Sequence, residues 1–309
     1  MRRNLLFAFL ATLGTGCGGG GSNPDAQTGE AAANAQEVGT SSPYCTSKPA
    51  VASVTNLSGT WVMRLVGTLQ VSALGTKLYP ESVFYILTTI SQSGTDIVAD
   101  GRYCDRTEID APGALVPVII PDKWAHTEKP IHRLGSFVPG NVGMAILNFP
   151  NLVEIAGAVL ASPDTDPLPT DPLDSHVIDE DGDGHPGITV NLSGIAPGSL
   201  YSVQRQTTSV VAVAVASDRF EGVLTFGSSQ VVLDSNPSSL KGLYAQSISS
   251  PDPTPCSSTF AMVKVSGASG LDCGLVDGGA VDAGDVDGGA NGATLSCACI
   301  REHEAWLFP

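Results

Sequence analysis

The chain has 309 residues, 42% of them hydrophobic, with a mean hydropathy of +0.14 and a formal net charge of −16. That apolar content excludes a disordered polymer and is enough for one large core or two small ones. The acidic charge repels phosphate backbones and so argues against nucleic acid as a partner.

The first elements are Arg2 and Arg3, an apolar run from Leu5 to Leu13, and small residues up to Cys17, the layout of an export signal. The run is about half of the roughly 17 residues a helix needs to span a bilayer, so residues 1–16 are read as a signal peptide and not as a membrane span. Leu13, Gly14, Thr15 and Gly16 ahead of Cys17 resemble the lipobox of bacterial lipoproteins, although the leucine stands one place further from the cysteine than that pattern usually has it. The resemblance implies that the mature chain begins at a lipidated Cys17. It would then be anchored in the cell envelope, with the outer membrane as the expected location. Residues 17–44, rich in Gly, Ser and Ala, read as a flexible tether.

Residues 45–309 read as a single β-rich domain. Setting Cys17 aside leaves six cysteines, Cys45, Cys104, Cys256, Cys273, Cys297 and Cys299, which in an exported chain points to three disulfides. Six cysteines allow 15 connectivities. Cys297 and Cys299 are too close to pair comfortably with each other, and a bond from Cys273 into that pair is favoured. No C-x-x-C spacing suggests zinc.

In "WVMRLVGTLQVS" the residues Trp61, Met63, Leu65, Leu69 and Val71 alternate with Arg64, Thr68, Gln70 and Ser72, the pattern of a half-buried strand. Further strands are predicted over 82–90, 95–104, 115–120, 199–215, 220–226, 230–233, 259–265 and 295–302. Gly, Pro, Asn and Asp separate them. A helix is predicted over 150–162, where Leu152, Ile155, Val159 and Leu160 share a face. The expected class is all-β: an antiparallel barrel or sandwich with long loop insertions and at most one or two short helices. The insertions lie at about 161–187, rich in Pro and Asp, and at 274–294, where a VDxGx unit recurs.

Inside the first insertion, Asp179, Asp181 and Asp183 alternate and Gly184 follows, matching positions 1, 3, 5 and 6 of the D-x-D-x-D-G calcium loop. Calcium prefers hard oxygen ligands, and this spacing converges three carboxylates. His185, at position 7, would offer its backbone carbonyl. Position 12 is Val190 where an EF-hand has glutamate, and β-rich sequence follows where a helix should leave. The loop resembles the non-helical Asp-rich calcium loops of extracellular modules such as thrombospondin type 3 repeats. Water, Asp174 or Asn191 would complete the shell, and the ion would serve as a structural clip.

"NLSGTWVMRL", from Asn56 to Leu65, resembles the opening G-x-W motif of lipocalins, with Gly59 and Trp61 in the matching places. The resemblance covers about ten residues. It implies an eight-stranded up-and-down barrel carrying a small apolar ligand, the tryptophan packing at the closed end under a late arginine for which Arg301 is the candidate. Trp61, Met63, Leu65, Leu224 and Phe226 would then line one cavity.

Catalytic constellations are absent from the sequence. There is no G-x-S-x-G, no Walker loop and no G-x-G-x-x-G, and His303-Glu304 lacks the second histidine of H-E-x-x-H. Ser238 and Lys241 form S-x-x-K without its partner motifs. His126 and His132, near Asp122 and Glu128, read as loop residues. The sequence therefore points to a non-enzymatic envelope lipoprotein that binds a small apolar ligand. The alternatives are a structural or surface-interaction lipoprotein with a filled core and a hydrolase with scattered residues.

Overall fold

Alternation at period two commits most of the chain to extended strands, because each strand then presents one apolar face that must be covered. The computed structural model describes residues 43–48, 54–73, 76–112, 114, 116–120, 130–140, 145–244, 249–265 and 297–309. All of them belong to the unit Ser41–Pro309.

Twelve strands form: β1 (Gly59–Ala73), β2 (Thr76–Leu78), β3 (Glu81–Ser93), β4 (Asp96–Ile109), β5 (Val118–Ile119), β6 (Ile131–Val138), β7 (Ile146–Ala156), β8 (Ile188–Leu192), β9 (Gly198–Ala216), β10 (Arg219–Asn236), β11 (Ser249–Pro251) and β12 (Thr259–Lys264). Among the described residues three short helices accompany them: α1 (Ser239–Tyr244), α2 (Cys297–Glu302) and α3 (Glu304–Leu307). Every ladder is antiparallel. Following the pairings, β1 bonds β3, then β4, β6, β7, β9, β10 and β12, and β12 returns to β1. Eight strands, each beside its neighbour in chain order, thus form a closed circuit with no free edge. β2 and β11 extend β1, while β8 pairs β9 and carries β5.

One apolar cluster draws on all eight strands of the circuit and therefore fills its interior. Trp61, Met63, Phe84, Phe137, Phe149, Phe220, Phe260 and Met262 belong to it. Trp61 meets Phe220 edge-on with ring centroids 5.9 Å apart, and its indole Nε1 donates to Leu57 O at 2.7 Å. Outside the circuit, Val62, Val66, Val83 and Tyr85 are covered by Ile300, Leu307 and Phe308 of the C-terminal segment.

Two disulfides tie the ends of the chain to this body. Cys45 bonds Cys256 and Cys104 bonds Cys297, with Cα separations of 5.3 and 4.8 Å. Cys299 is also disulfide-bonded. Its favoured partner Cys273 lies outside the described residues, as do Cys17, the tether to residue 42 and the insertion at 274–294.

The fold class follows the sequence expectation, and several elements differ from it. The helix predicted over 150–162 is the second half of β7 followed by a bend, the isolated Ala158–Val177 bridge and irregular chain. Pro150 cannot donate to a ladder, and the register shifts between Phe149 and Leu152, which re-phases the strand so that it still pairs β9. The strand predicted over 295–302 is α2, held by the Cys104–Cys297 bond. Residues 220–226 and 230–233 belong to one strand, β10, and the strand predicted over 115–120 shrinks to β5. β6 and β8 were not predicted.

Candidate functional site

A cavity of about 360 Å³ lies where β6 begins, between β4 and β7. Its position follows from the lengths of the ladders. β4 pairs β6 only up to Gly101 and Ile131, and β6 pairs β7 only from Ser136 and Asn148, so the two neighbours diverge beyond the short strand between them. Ile131 and Leu152, together with Ile155 and Leu160, supply apolar lining; Tyr103, Arg106, Glu154, Glu180 and Gln206 supply polar lining.

The polar groups form a connected layer above the apolar core. Tyr103 donates its hydroxyl hydrogen to Glu154 Oε2 at 2.8 Å. Burial pushes the Glu154 carboxyl above its usual range, against the opposing pull of that hydroxyl and of the Arg133 and Arg106 charges. Arg106 pairs through Nε with Glu108 Oε1 at 2.9 Å, and its guanidinium stands 4.9 Å from the Phe84 ring centroid. Gln206, with its amide turned to match, accepts from Arg106 Nη1 and Nη2 at 3.0 and 3.1 Å. Arg133 is 4% exposed and lies 5.2 Å from the Phe149 centroid. It donates through Nη2 to Thr208 O at 2.8 Å, while its Nε has no hydrogen-bond partner. Burial lowers its pKa, opposed by the charge of Glu154. Chemically this layer can accept and donate hydrogen bonds to the polar end of a small molecule whose apolar part rests on Leu152, Ile155 and Leu160.

The acidic loop is built next to this cavity. Asp179, Asp181 and Asp183 bring carboxylate oxygens within 4.8 Å of one another, a set that could hold a metal ion. Gly182 and Gly184 take φ of 62° and 90°, so the chain turns sharply where a side chain would be strained. Asp179 accepts from the backbone N–H groups of Asp183 and Gly184 at 3.1 and 2.9 Å, and Asp183 accepts from that of His185 at 2.9 Å. Asp181 is 3% exposed; its Oδ2 accepts from Thr189 N at 2.9 Å, and its Oδ1 has no hydrogen-bond partner. Burial, followed by the charges of Asp183 and Asp179, raises its pKa.

The residues singled out from sequence are distributed as follows. Trp61, Met63, Leu65, Leu224 and Phe226 come together, but as tightly buried members of the interior cluster, and the cavity described above is lined by other residues. The ring of His185 stacks on Tyr201 with centroids 3.9 Å apart. Asp174 Oδ1 accepts from His176 N at 2.9 Å, and Asn191 Oδ1 accepts from Ser199 Oγ at 2.8 Å. Val190 is buried in β8. Arg301 falls on α2, its side chain outside the description. Lys241 donates through Nζ to Leu233 O. His132 pairs with Asp100 on the surface at 2.6 Å, and His126, Asp122 and Glu128 lie outside the described residues.

The Tyr103, Arg106, Arg133, Glu154 and Gln206 layer was missed in the sequence. The available signal was charged residues on the inward phase of otherwise apolar strands. Glu154 was hidden because its segment reads as a helix, and Arg106 because the register shift between Tyr85 and Ile86 changes the inward phase of β4.

Comparison with protein-family models, with curated proteins and with solved structures finds no match to this chain.

Proposed function

We propose that this chain is a lipid-anchored protein of the bacterial cell envelope whose β-barrel binds a small, largely apolar molecule without catalysing a reaction. The observation that carries the reading is the cavity of about 360 Å³ between β4 and β7, lined both by apolar residues such as Leu152, Ile155 and Leu160 and by the polar Tyr103, Glu154, Arg106 and Gln206. That volume sits at the small end of the roughly 300–1,000 Å³ typical of ligand pockets, and a mixed lining of this kind orients an apolar body by one polar end. The closed circuit of eight strands in chain order, opening on Gly59-x-Trp61, supports the lipocalin resemblance. The anchor rests on Cys17 and the signal ahead of it.

The second reading, a surface-interaction lipoprotein with a filled core, draws on the interior cluster, where Trp61, Phe137, Phe220 and Phe260 are each at most 2% exposed. Native mass spectrometry of the chain purified from bacterial envelopes separates the two. A retained mass of about a few hundred daltons, lost in Leu160→Trp, supports ligand carriage; a bare chain mass supports the filled-core reading. In the same preparation Cys17→Ser should leave the membrane fraction, and its persistence there would remove the anchor.

A further inference from the structure

We propose that Asp179, Asp181 and Asp183 hold a calcium-type divalent cation, and that this ion fastens the loop forming one wall of the cavity. Acidic clusters are common on protein surfaces, and what sets this one apart is Asp181. The residue is 3% exposed, yet its Oδ1 meets no donor, and carboxylate oxygens of Asp179 and Asp183 lie within 4.8 Å. A buried anionic oxygen without a partner, among like charges, is costly; a proton would relieve Asp181 alone, whereas a cation would answer all three converging carboxylates. The donors are carboxylate oxygens alone, which select hard ions over zinc or copper. Calcium tolerates an irregular shell completed by water and backbone carbonyls, whereas magnesium demands near-octahedral geometry.

The ion's reach beyond the loop follows from Glu180, the residue between the first two aspartates. Glu180 lines the cavity, and its Oε2 accepts from Gly157 N at 2.5 Å. Ile178 N donates to Gly157 O at 3.0 Å, and Val159 N to His176 O at 2.9 Å. Gly187 N donates to Ile178 O at 2.9 Å, and Glu180 N to Gly187 O at 3.0 Å. The backbones touch: a Cβ on Gly157 would lie 2.8 Å from Gly187 Cα. Ala156, Ala158, Val159 and Leu160 line the cavity from the same stretch. Loop and wall are one hydrogen-bonded unit, so ordering the aspartates orders the wall. The functional meaning of this coupling rests on the cavity being a ligand site; the readouts chosen to test it need no ligand.

The test uses the full chain, stripped with chelator and titrated with calcium chloride by calorimetry, with hydrogen–deuterium exchange followed at 156–160 and 176–189. Binding in the range of about 10⁻⁴ to 10⁻³ M is expected, as in other extracellular calcium modules. Saturating calcium should slow exchange at 157–160 by roughly tenfold or more, through loss of local opening. Asp181→Asn should remove both effects, and the exposed Asp183→Asn should do the same should Asp181→Asn fail to fold. Absence of binding heat up to about 10 mM calcium overturns the proposal, well above the affinities of such modules. Binding that leaves exchange at 157–160 unchanged overturns it equally. A bare chain mass in the native spectrum would defeat the ligand reading and leave these outcomes standing.

Discussion

Tyr85 shows how a single side chain joins the body of the protein to its C-terminus. It lies on the outward face of β3, accepts from Arg64 Nε at 3.0 Å, and donates its hydroxyl hydrogen to Glu304, the first residue of the last helix. Burial, and then the Glu304 carboxylate, raise its pKa from 10.0 to about 12. Because the folded value exceeds the unfolded one, the contribution to stability is fully present below pH 10 and is lost as pH rises through about 12. An ultraviolet titration should find one tyrosine ionising near pH 12, absent in Tyr85→Phe, and all tyrosines ionising together near pH 10 would contradict the contact. At this same scale the aspartate triad was legible, since alternate carboxylates followed by glycine converge by local geometry alone. The Glu154 and Arg133 layer was not, because its members, from Tyr103 to Gln206, stand on four different strands and come together only through strand pairing.

Among the elements, the C-terminal helices depend most on a covalent tie. Cys297 at the start of α2 bonds Cys104 on β4, and the helices cover Val62, Val66 and Val83. Neither helix exceeds six residues, too short to be stable without tertiary contacts. Replacing Cys104 and Cys297 together by serine should lower unfolding free energy by about 2–4 kcal/mol in urea titrations and raise binding of a hydrophobic dye. Unchanged stability would mean that packing alone holds the segment. β7 carries the opposite lesson. Leu152, Ile155, Val159 and Leu160 keep helical spacing, yet the partner strand β9 is 19 residues long and offers a ladder that a helix would leave unpaired. Pairing decides the outcome, with Pro150 absorbed at the register shift.

For the whole molecule, closure is the property with the largest consequence. The ladder between β1 and β12 joins residues between 193 and 203 positions apart and completes the circuit, from Trp61 opposite Lys264 to Val66 opposite Thr259. Ending the chain at Tyr244 would remove β12 and leave β1 and β10 as unpaired edges beside an exposed core, so the shortened protein should aggregate on expression. A soluble, monomeric shortened form with the full-length circular dichroism spectrum would show that closure is dispensable. The β9–β10 ladder, which adjoins that gap, is tight: a Cβ on Gly222 would lie 2.2 Å from Val211 O.

By itself the sequence determined what depends on near neighbours: strand-forming alternation, turns at Gly, Pro and Asp, the spacing of the aspartates, and a mostly β architecture with few helices. Only the tertiary structure decided which strands close the circuit, which cysteines bond, and where the cavity lies. The last turns on β6 being shorter than its neighbours and on charged and polar side chains from β4, β6, β7 and β9 gathering there. Ladder lengths and cross-strand encounters are set by pairing between distant segments, and local composition carries no record of them.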